Sequence, residues 1–153
     1  MHSPVPVRAV LVLVFGLAAA VATASCATTP PDPSPPPTVR DVTLGQEFTL
    51  RAAESVRITG TDLLVTFDSV TEDSRCPTNV NCVWAGNAVV RLTPRVADAT
   101  RGALELHTTT VDKREAPVDG YRVQLTRLTP NRTEGTPLTQ DQYIATLTVV
   151  RSR

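Results

Sequence analysis

The stretch around which we expect the strands of this chain to pack runs from Glu72 to Gly86 and reads Glu-Asp-Ser-Arg-Cys-Pro-Thr-Asn-Val-Asn-Cys-Val-Trp-Ala-Gly. It contains two of the three cysteines of the 153-residue chain and its only tryptophan. Five residues separate Cys76 from Cys82, and this spacing can close into a disulfide if the chain turns between them. Pro77 and Asn79 supply residues that favour such a turn. We therefore predict one local disulfide, provided that the chain is exported.

Two other roles for these cysteines fit the sequence less well. A structural zinc site needs four ligands, whereas the chain after Cys26 offers two cysteines and one histidine, His107. A redox-active pair has two intervening residues, not five. Trp84 lies two positions after Cys82, so on a strand the two side chains would share a face and the ring would cover the sulfurs. Gly86 predicts a close approach of two backbone segments or a bulge.

The first 25 residues have the features of a bacterial lipoprotein signal peptide. Arg8 precedes 14 uncharged, mostly apolar residues, 9–22, a run too short to span a bilayer. The run ends in Thr-Ala-Ser-Cys, which resembles the site where a cysteine receives lipid, with Thr23 in place of the usual leucine. We expect lipidation of Cys26. The alternative is an ordinary signal peptide, cleaved for example after Ala24, that leaves Cys26 as a free thiol.

Residues 26–38 are predicted to form a linker between that cysteine and a folded domain. Six of the twelve residues from 27 to 38 are proline, a composition that favours an extended, semi-rigid chain of at most about 3.1 Å per residue. A spacer explains this composition, and a ligand for an SH3-type domain is the alternative. The folded domain is then residues 39–153, long enough for a single core.

The charges of the chain argue against a nucleic-acid partner. Fifteen basic residues balance fifteen acidic ones, so no excess of positive charge is available for a phosphate backbone. The partners that we expect are a membrane, through the lipid anchor, and a protein of unknown identity. No cofactor is expected, because the sequence contains neither a glycine-rich phosphate loop nor a paired-carboxylate motif.

The hydrophobic pattern has a period of two, which is typical of strands. Turn signals such as Gly60-Thr61 and Asp119-Gly120 separate the alternating segments. We predict an all-β fold, a single antiparallel β-sandwich or small barrel of seven to eight short strands, with no helix longer than one or two turns. The alternating segments are 63–68, 88–92, 104–107, 121–126 and 143–149, with shorter and less regular ones at 42–44, 47–51 and 55–58.

The motif Asp73-Ser74-Arg75-Cys76-Pro77, followed after four residues by Cys82-Val83-Trp84-Ala85-Gly86, resembles that of a group of small secreted bacterial proteins, many of them lipoproteins. Those chains are also similar around Gly120-Tyr121 and in a final strand like 143–150. The resemblance implies export and a domain of about the predicted extent. It carries over no catalytic residue.

The function that the sequence favours is a non-enzymatic, membrane-anchored binding or structural module on the outer side of the membrane. Asp73, Arg75 and Trp84 are its candidate binding residues, because a disulfide-closed loop is preorganised for recognition. The alternatives are a protease-inhibitor-like domain that acts through the Cys76–Cys82 loop, and a hydrolase. His107 lacks a nearby nucleophile in the sequence and is predicted to be a surface residue.

A small acidic cluster precedes the loop and offers a further alternative. Asp68, Glu72 and Asp73 could bind Ca²⁺ weakly through oxygen ligands, but they lack the regular spacing of a calcium-binding loop. A solvated turn explains them better, and no metal site is predicted.

The lipid anchor makes a direct prediction. Replacing the acceptor thiol in Cys26→Ala removes the only attachment site for lipid that we expect, so the variant protein should leave the membrane fraction. Fractionation of cells that express the wild-type and variant chains checks this. A variant that remains in the membrane fraction would contradict lipidation at Cys26.

Overall fold

The computed structural model describes residues 39–152, which form ten strands. Two single-turn 3-10 helices, Val111–Lys113 and Gln140–Gln142, are the only helices in this range, which confirms an all-β fold. The strands are β1 (Arg40–Val42), β2 (Glu47–Arg51), β3 (Ser55–Ile58), β4 (Leu63–Asp73), β5 (Ala88–Val96), β6 (Ala99–Thr100), β7 (Leu104–His107), β8 (Glu115–Val118), β9 (Tyr121–Thr129) and β10 (Ile144–Arg151). The predicted signal peptide, the lipidated Cys26 and the linker 26–38 lie outside the described residues.

The ten strands form two open sheets. The first has the order β1-β3-β4-β5-β6, and β7 pairs with β5 beside β6. The second has the order β2-β10-β9-β8. All neighbouring strands are antiparallel except β1 and β3, which are parallel. The expectation of a purely antiparallel arrangement was therefore wrong at this edge.

The hydrophobic core lies where the alternation predicted it. Leu63, Val65 and Phe67 are fully buried on β4, while the intervening residues are partly exposed. The second sheet contributes Val123, Ala145, Leu147 and Val149 to the same cluster, among other residues. Both sheets thus turn one apolar face toward a common core, which is the dominant stabilising term of such a fold.

Two bulges interrupt the pairing of β4 with β5, so the eleven residues of β4 oppose the nine of β5. The register shifts between Phe67 and Ser69 and again between Val70 and Glu72. Each bulge adds one residue to β4. The inward-facing positions therefore advance by three, from Phe67 to Val70 to Asp73, and the last of them places a carboxylate at the end of the core.

The strand count exceeds the predicted seven to eight for two reasons. The alternation did not identify β6, which has only two residues, or β8, which contains Pro117. Proline lacks the N–H group that a ladder needs, and β8 tolerates it because this strand lies at the edge of its sheet. Strand β1 also begins and ends two residues earlier than the predicted segment 42–44.

Within residues 39–152, no helix has the length and apolar character needed to cross a membrane.

Candidate functional site

The predicted cysteine pair lies in the connection between β4 and β5, residues 74–87. The Sγ atoms of Cys76 and Cys82 are 2.17 Å apart and their Cα atoms 5.9 Å apart, so the predicted disulfide is confirmed. We call residues 74–87 the disulfide loop. None of its residues belongs to the hydrophobic core, which resumes at Ala88. The loop is therefore a surface projection of the central hairpin and not the centre around which the strands pack.

The base of the disulfide loop continues the hairpin beyond the strands. The Ser74 amide donates to the Asn87 carbonyl (2.7 Å), and the Cys76 amide donates to the Ala85 carbonyl (3.0 Å). Gly86 has a φ of +68°, and a Cβ atom at this position would lie 1.8 Å from the Ser74 carbonyl oxygen. The close backbone approach predicted at Gly86 is therefore confirmed, and no side chain fits there without separating the two halves of the loop.

Arg75 connects the disulfide loop to the second sheet. Its Nε and Nη2 atoms donate to the two carboxylate oxygens of Asp73 at 2.8 and 2.7 Å, a bidentate ion pair. Nη1 donates to the Leu128 carbonyl (2.8 Å), and Nη2 also donates to the Pro130 carbonyl (3.0 Å). The planar guanidinium group satisfies four acceptors at once, which a lysine could not do with this geometry. The Asp73 and Arg75 side chains are only 8% and 13% exposed.

Tyr143, the residue that precedes β10, completes this network. Its hydroxyl donates to Oδ2 of Asp73 at 3.0 Å. Burial alone would raise the pKa of Asp73, but the hydrogen bonds and positive charge of Arg75, with the Tyr143 hydroxyl, outweigh it and lower that pKa from its ordinary value. Burial raises the pKa of Tyr143, and the negative charge of Asp73 adds to that rise. The network thus favours a charged Asp73 and a neutral Tyr143.

A second set of contacts holds the disulfide loop against residues 130–134. Arg132 donates from Nη1 to the Arg75 carbonyl (2.8 Å), and its own carbonyl accepts from the Thr78 amide (2.9 Å). The Glu134 amide donates to Oδ1 of Asn79 at 2.8 Å. The disulfide-closed turn is therefore fixed by hydrogen bonds to another segment as well as by its own covalent bond.

Asn87 fixes the other end of the disulfide loop. Its Oδ1 accepts from the amides of Thr108 (3.1 Å) and Thr109 (3.3 Å) and from the Thr109 hydroxyl (2.9 Å). The Thr109 hydroxyl also lies 2.6 Å from the Gly86 carbonyl, to which it donates. The Asn87 Nδ2 atom is 2.9 Å from Nδ1 of His107, which is partly buried. The predicted surface residue His107 is therefore partly exposed and lies beside the loop.

The outward side of the disulfide loop is a strip of five consecutive exposed residues, Asn81–Cys82–Val83–Trp84–Ala85. We call residues 81–85 the exposed strip. Val83 is 89% exposed and Trp84 is 82% exposed. No strand forms here, so the expectation that the Trp84 ring covers the sulfurs was wrong. The tryptophan points to solvent on a loop that the disulfide and the contacts of Arg75 and Asn87 anchor to the domain.

The structure places the candidate binding residues in two different environments. Asp73 and Arg75 face inward and bind one another, whereas Trp84 faces outward. The acidic cluster is also divided, because Asp68 accepts from the Thr93 hydroxyl (2.7 Å) and Glu72 is exposed. In the part of the chain that the structure describes, no three acidic, histidine or cysteine residues are arranged to hold a metal ion.

The sequence did not identify Tyr143, Asn87 or Arg132 as part of this site. The sequence does contain a clue to the role of Tyr143, because a tyrosine at an inward-facing strand position needs a hydrogen-bond partner for its hydroxyl. It contains no such clue for Asn87 and Arg132, since their roles depend on which loops meet in the fold.

The chain matches no protein-family model, and no curated protein or solved structure is significantly similar to it. The function is therefore argued from the residues described above.

The disulfide makes a stability prediction. The double variant Cys76→Ser with Cys82→Ser should lose about 2 kcal/mol of unfolding free energy, or roughly 5–10 °C in Tm, because a short closed loop restricts the unfolded chain. The hydrogen bonds at Ser74 and Arg75 should keep the variant folded. Thermal unfolding followed by circular dichroism measures the change, and the reduced wild-type protein should match the variant. Equal melting points for oxidised and reduced wild-type protein would contradict the prediction.

The lowered pKa of Asp73 makes a prediction about acid stability. The unfolded chain takes up this proton near the ordinary pKa of about 3.9, and the folded chain does so only at lower pH. The stabilisation by Asp73 is therefore full above about pH 5 and is lost as the pH falls through the folded-state pKa. Urea unfolding measured from pH 7 to pH 3 should give a higher unfolding free energy for the wild type than for Asp73→Asn. This difference in unfolding free energy should become smaller below about pH 4.

The matched control for this experiment is Asp141→Asn, which removes an exposed carboxylate from the second 3-10 helix. Its unfolding free energy should stay close to that of the wild type, because an exposed charge contributes little. If the unfolding free energies of wild type and Asp73→Asn differ by the same amount at pH 7 and at pH 3, the ionised carboxylate does not stabilise the fold as predicted.

Proposed function

We propose that this protein is a membrane-anchored extracytoplasmic lipoprotein whose domain binds a protein partner through the exposed strip, without catalysis. The observation that carries the proposal is the exposure of Val83 and Trp84, at 89% and 82%, on a loop that is closed by a disulfide and bound to the domain on two sides. The lipid anchor at Cys26 is a separate part of the proposal and has its own test above.

Exposure of an indole ring on an anchored loop favours recognition. Tryptophan is among the residues that contribute most to protein–protein interfaces, because it buries a large area and loses few conformations. A tryptophan on a flexible segment would contribute much less to the binding free energy, because the segment would lose conformational entropy when it became ordered on the partner. Here the Cys76–Cys82 bond and the contacts of Arg75 and Asn87 restrict the loop before any partner arrives, which lowers the entropic cost of binding.

The architecture that supports this loop is best interpreted as a β-sandwich. Each open sheet contributes one apolar face to the common core, for example Phe67 from the first sheet and Leu147 from the second. Two faces packed in this way are the arrangement of a sandwich. The disulfide supports an extracytoplasmic location, because such bonds persist mainly in oxidising compartments.

A protease-inhibitor-like domain is the second candidate, and the closed shape of the loop favours it. An inhibitor must present a backbone that a protease cannot easily deform, and hydrogen bonds to Thr78 and Asn79 restrain this turn. The rate of a protease distinguishes the two candidates, because an inhibitor lowers that rate whereas a general binding module does not.

Site-specific photo-crosslinking in intact cells tests the binding proposal. A photoreactive phenylalanine analogue that replaces Val83 in the full chain should give a discrete crosslinked product, and Trp84→Ala should reduce its yield by about tenfold, as expected for loss of an anchor residue. The same analogue at Val150 is the control, because this valine is an exposed residue of β10 that pairs with Arg122, at the end of β9 opposite Leu128 and the disulfide loop.

Equal crosslinking from positions 83 and 150, or a product that persists unchanged in Trp84→Ala, would contradict recognition through the exposed strip. The inhibitor candidate is checked separately by incubating the purified chain with serine proteases. A protease whose rate falls in the presence of the wild-type chain, but not of the disulfide-free double variant, would favour that candidate.

A further inference from the structure

A basic groove lies beside the disulfide loop, on the second sheet. It has a volume of about 210 Å³, and its lining includes Arg75, Arg114, Thr126, Arg127 and Asn131. The groove exists because β8 pairs with β9 only as far as Gln124, so the rest of β9 has no strand on that side. The buried Leu125 and Leu128 contribute to its lining, and polar side chains from three segments surround it.

The charges that line the groove are all positive. Three arginines contribute to its walls and no aspartate or glutamate does. Arg75 is neutralised by Asp73, but Arg114 and Arg127 have no ion-pair partner within residues 39–152. Glu115, the acidic residue next to Arg114, is paired with Arg122 at 3.1 Å. Two uncompensated guanidinium groups therefore line one small space.

The polar groups beside these arginines are also available for hydrogen bonds. In the described part of the chain, the side chains of Thr126, Arg127 and Asn131 make no hydrogen bond to another residue. Arg114 donates from Nη2 to the Thr108 carbonyl, which leaves its other N–H groups unused and holds the side chain against the groove. A guanidinium group, a hydroxyl and an amide on neighbouring walls are donors for an oxyanion.

We infer that this groove binds a phosphate group, held between the guanidinium groups of Arg114 and Arg127 with help from Thr126 and Asn131. Two arginines match the charge and the several acceptor oxygens of phosphate better than they match a single carboxylate. The phosphate belongs either to a free ion or monoester or to a diester such as a lipid headgroup. This inference goes beyond the proposed function, because it uses neither Val83 nor Trp84.

The experiment titrates the purified full chain with small anions and follows backbone amide shifts by NMR at pH 7 and constant ionic strength. Inorganic phosphate should cause saturable shifts centred on Thr126, Arg127 and Asn131, with a Kd of about 1–10 mM, as expected for a few charged contacts at an open site. Acetate should bind at least about tenfold more weakly, since it offers fewer acceptor oxygens and less charge.

A third anion distinguishes the two sources of phosphate. Dimethyl phosphate carries the phosphodiester of a lipid headgroup without the acyl chains. Binding of both phosphate compounds supports a site for headgroups, and binding of inorganic phosphate alone supports a site for a free ion or monoester. Either result supports a phosphate site.

Arg127→Gln is the informative variant, because the Arg127 side chain holds no other residue in place. It should weaken phosphate binding by about tenfold, the effect expected for loss of one charged contact, with the melting temperature unchanged. Arg57→Gln is the matched control, since Arg57 is an exposed strand arginine that lines no part of this groove. That variant should bind phosphate as the wild type does.

Three outcomes would overturn the phosphate site. They are shifts that grow without saturation, shifts of equal size with acetate, and equal phosphate affinity in Arg127→Gln and wild type. None of these outcomes bears on the exposed strip, whose test uses Trp84→Ala and crosslinking. Failure of one proposal is therefore distinguishable from failure of the other.

Discussion

The ion pair between Asp73 and Arg75 is the interaction on which the loop-bearing end of the domain depends. It joins the last residue of β4 in the first sheet to carbonyl groups of the second sheet, and Tyr143 closes the network from the far side. A pair of charges so little exposed is stabilising only when every donor and acceptor is satisfied. Here the surrounding carbonyls and the tyrosine hydroxyl meet that condition, so the pair fixes the direction in which the disulfide loop leaves the hairpin.

The fold class and most of the core could be predicted from the sequence because a period of two is a local property. Leu63, Val65 and Phe67 are buried as the alternation indicated, and so are Val123 and Leu125. The disulfide was equally visible, since a spacing of five residues restricts the cysteines to a local bridge. These features depend on near neighbours in the chain, which the sequence displays directly.

The site itself could be predicted only in part, because bulges and loop contacts are not local properties. Two bulges in β4 bring Val70 to the core, where uninterrupted alternation from Phe67 would place Ser69 and Thr71. The shifts cancel at Asp73, whose inward position the alternation does give, but the contact of Asp73 with Tyr143 joins residues 70 apart in the chain. A third register shift in β9 similarly moves the inward position from Leu125 to Leu128. Arg75 was therefore predicted to be a binding residue although its contacts are internal, and the Trp84 ring was predicted to cover the sulfurs although it is exposed.

The disulfide loop and the basic groove share one end of the domain, and Arg75 touches both. Its side chain lines the groove, and its neighbour in the chain is the first cysteine of the bridge. The two surfaces are nevertheless chemically unlike, since one presents an indole ring and a valine and the other presents arginines. The contacts of Arg75 thus connect a loop that carries an exposed apolar strip with a groove that is lined by arginines.

The orientation of the Asn87 side-chain amide determines which ring nitrogen of His107 carries the hydrogen. Because backbone N–H groups of Thr108 and Thr109 can only donate, the atom they meet must be the Asn87 oxygen, and the amide nitrogen must therefore point to His107. Nδ1 of that ring is then an acceptor, and the neutral imidazole carries its hydrogen on Nε2. A side chain that anchors a loop thus also selects one of two tautomers in the adjacent strand.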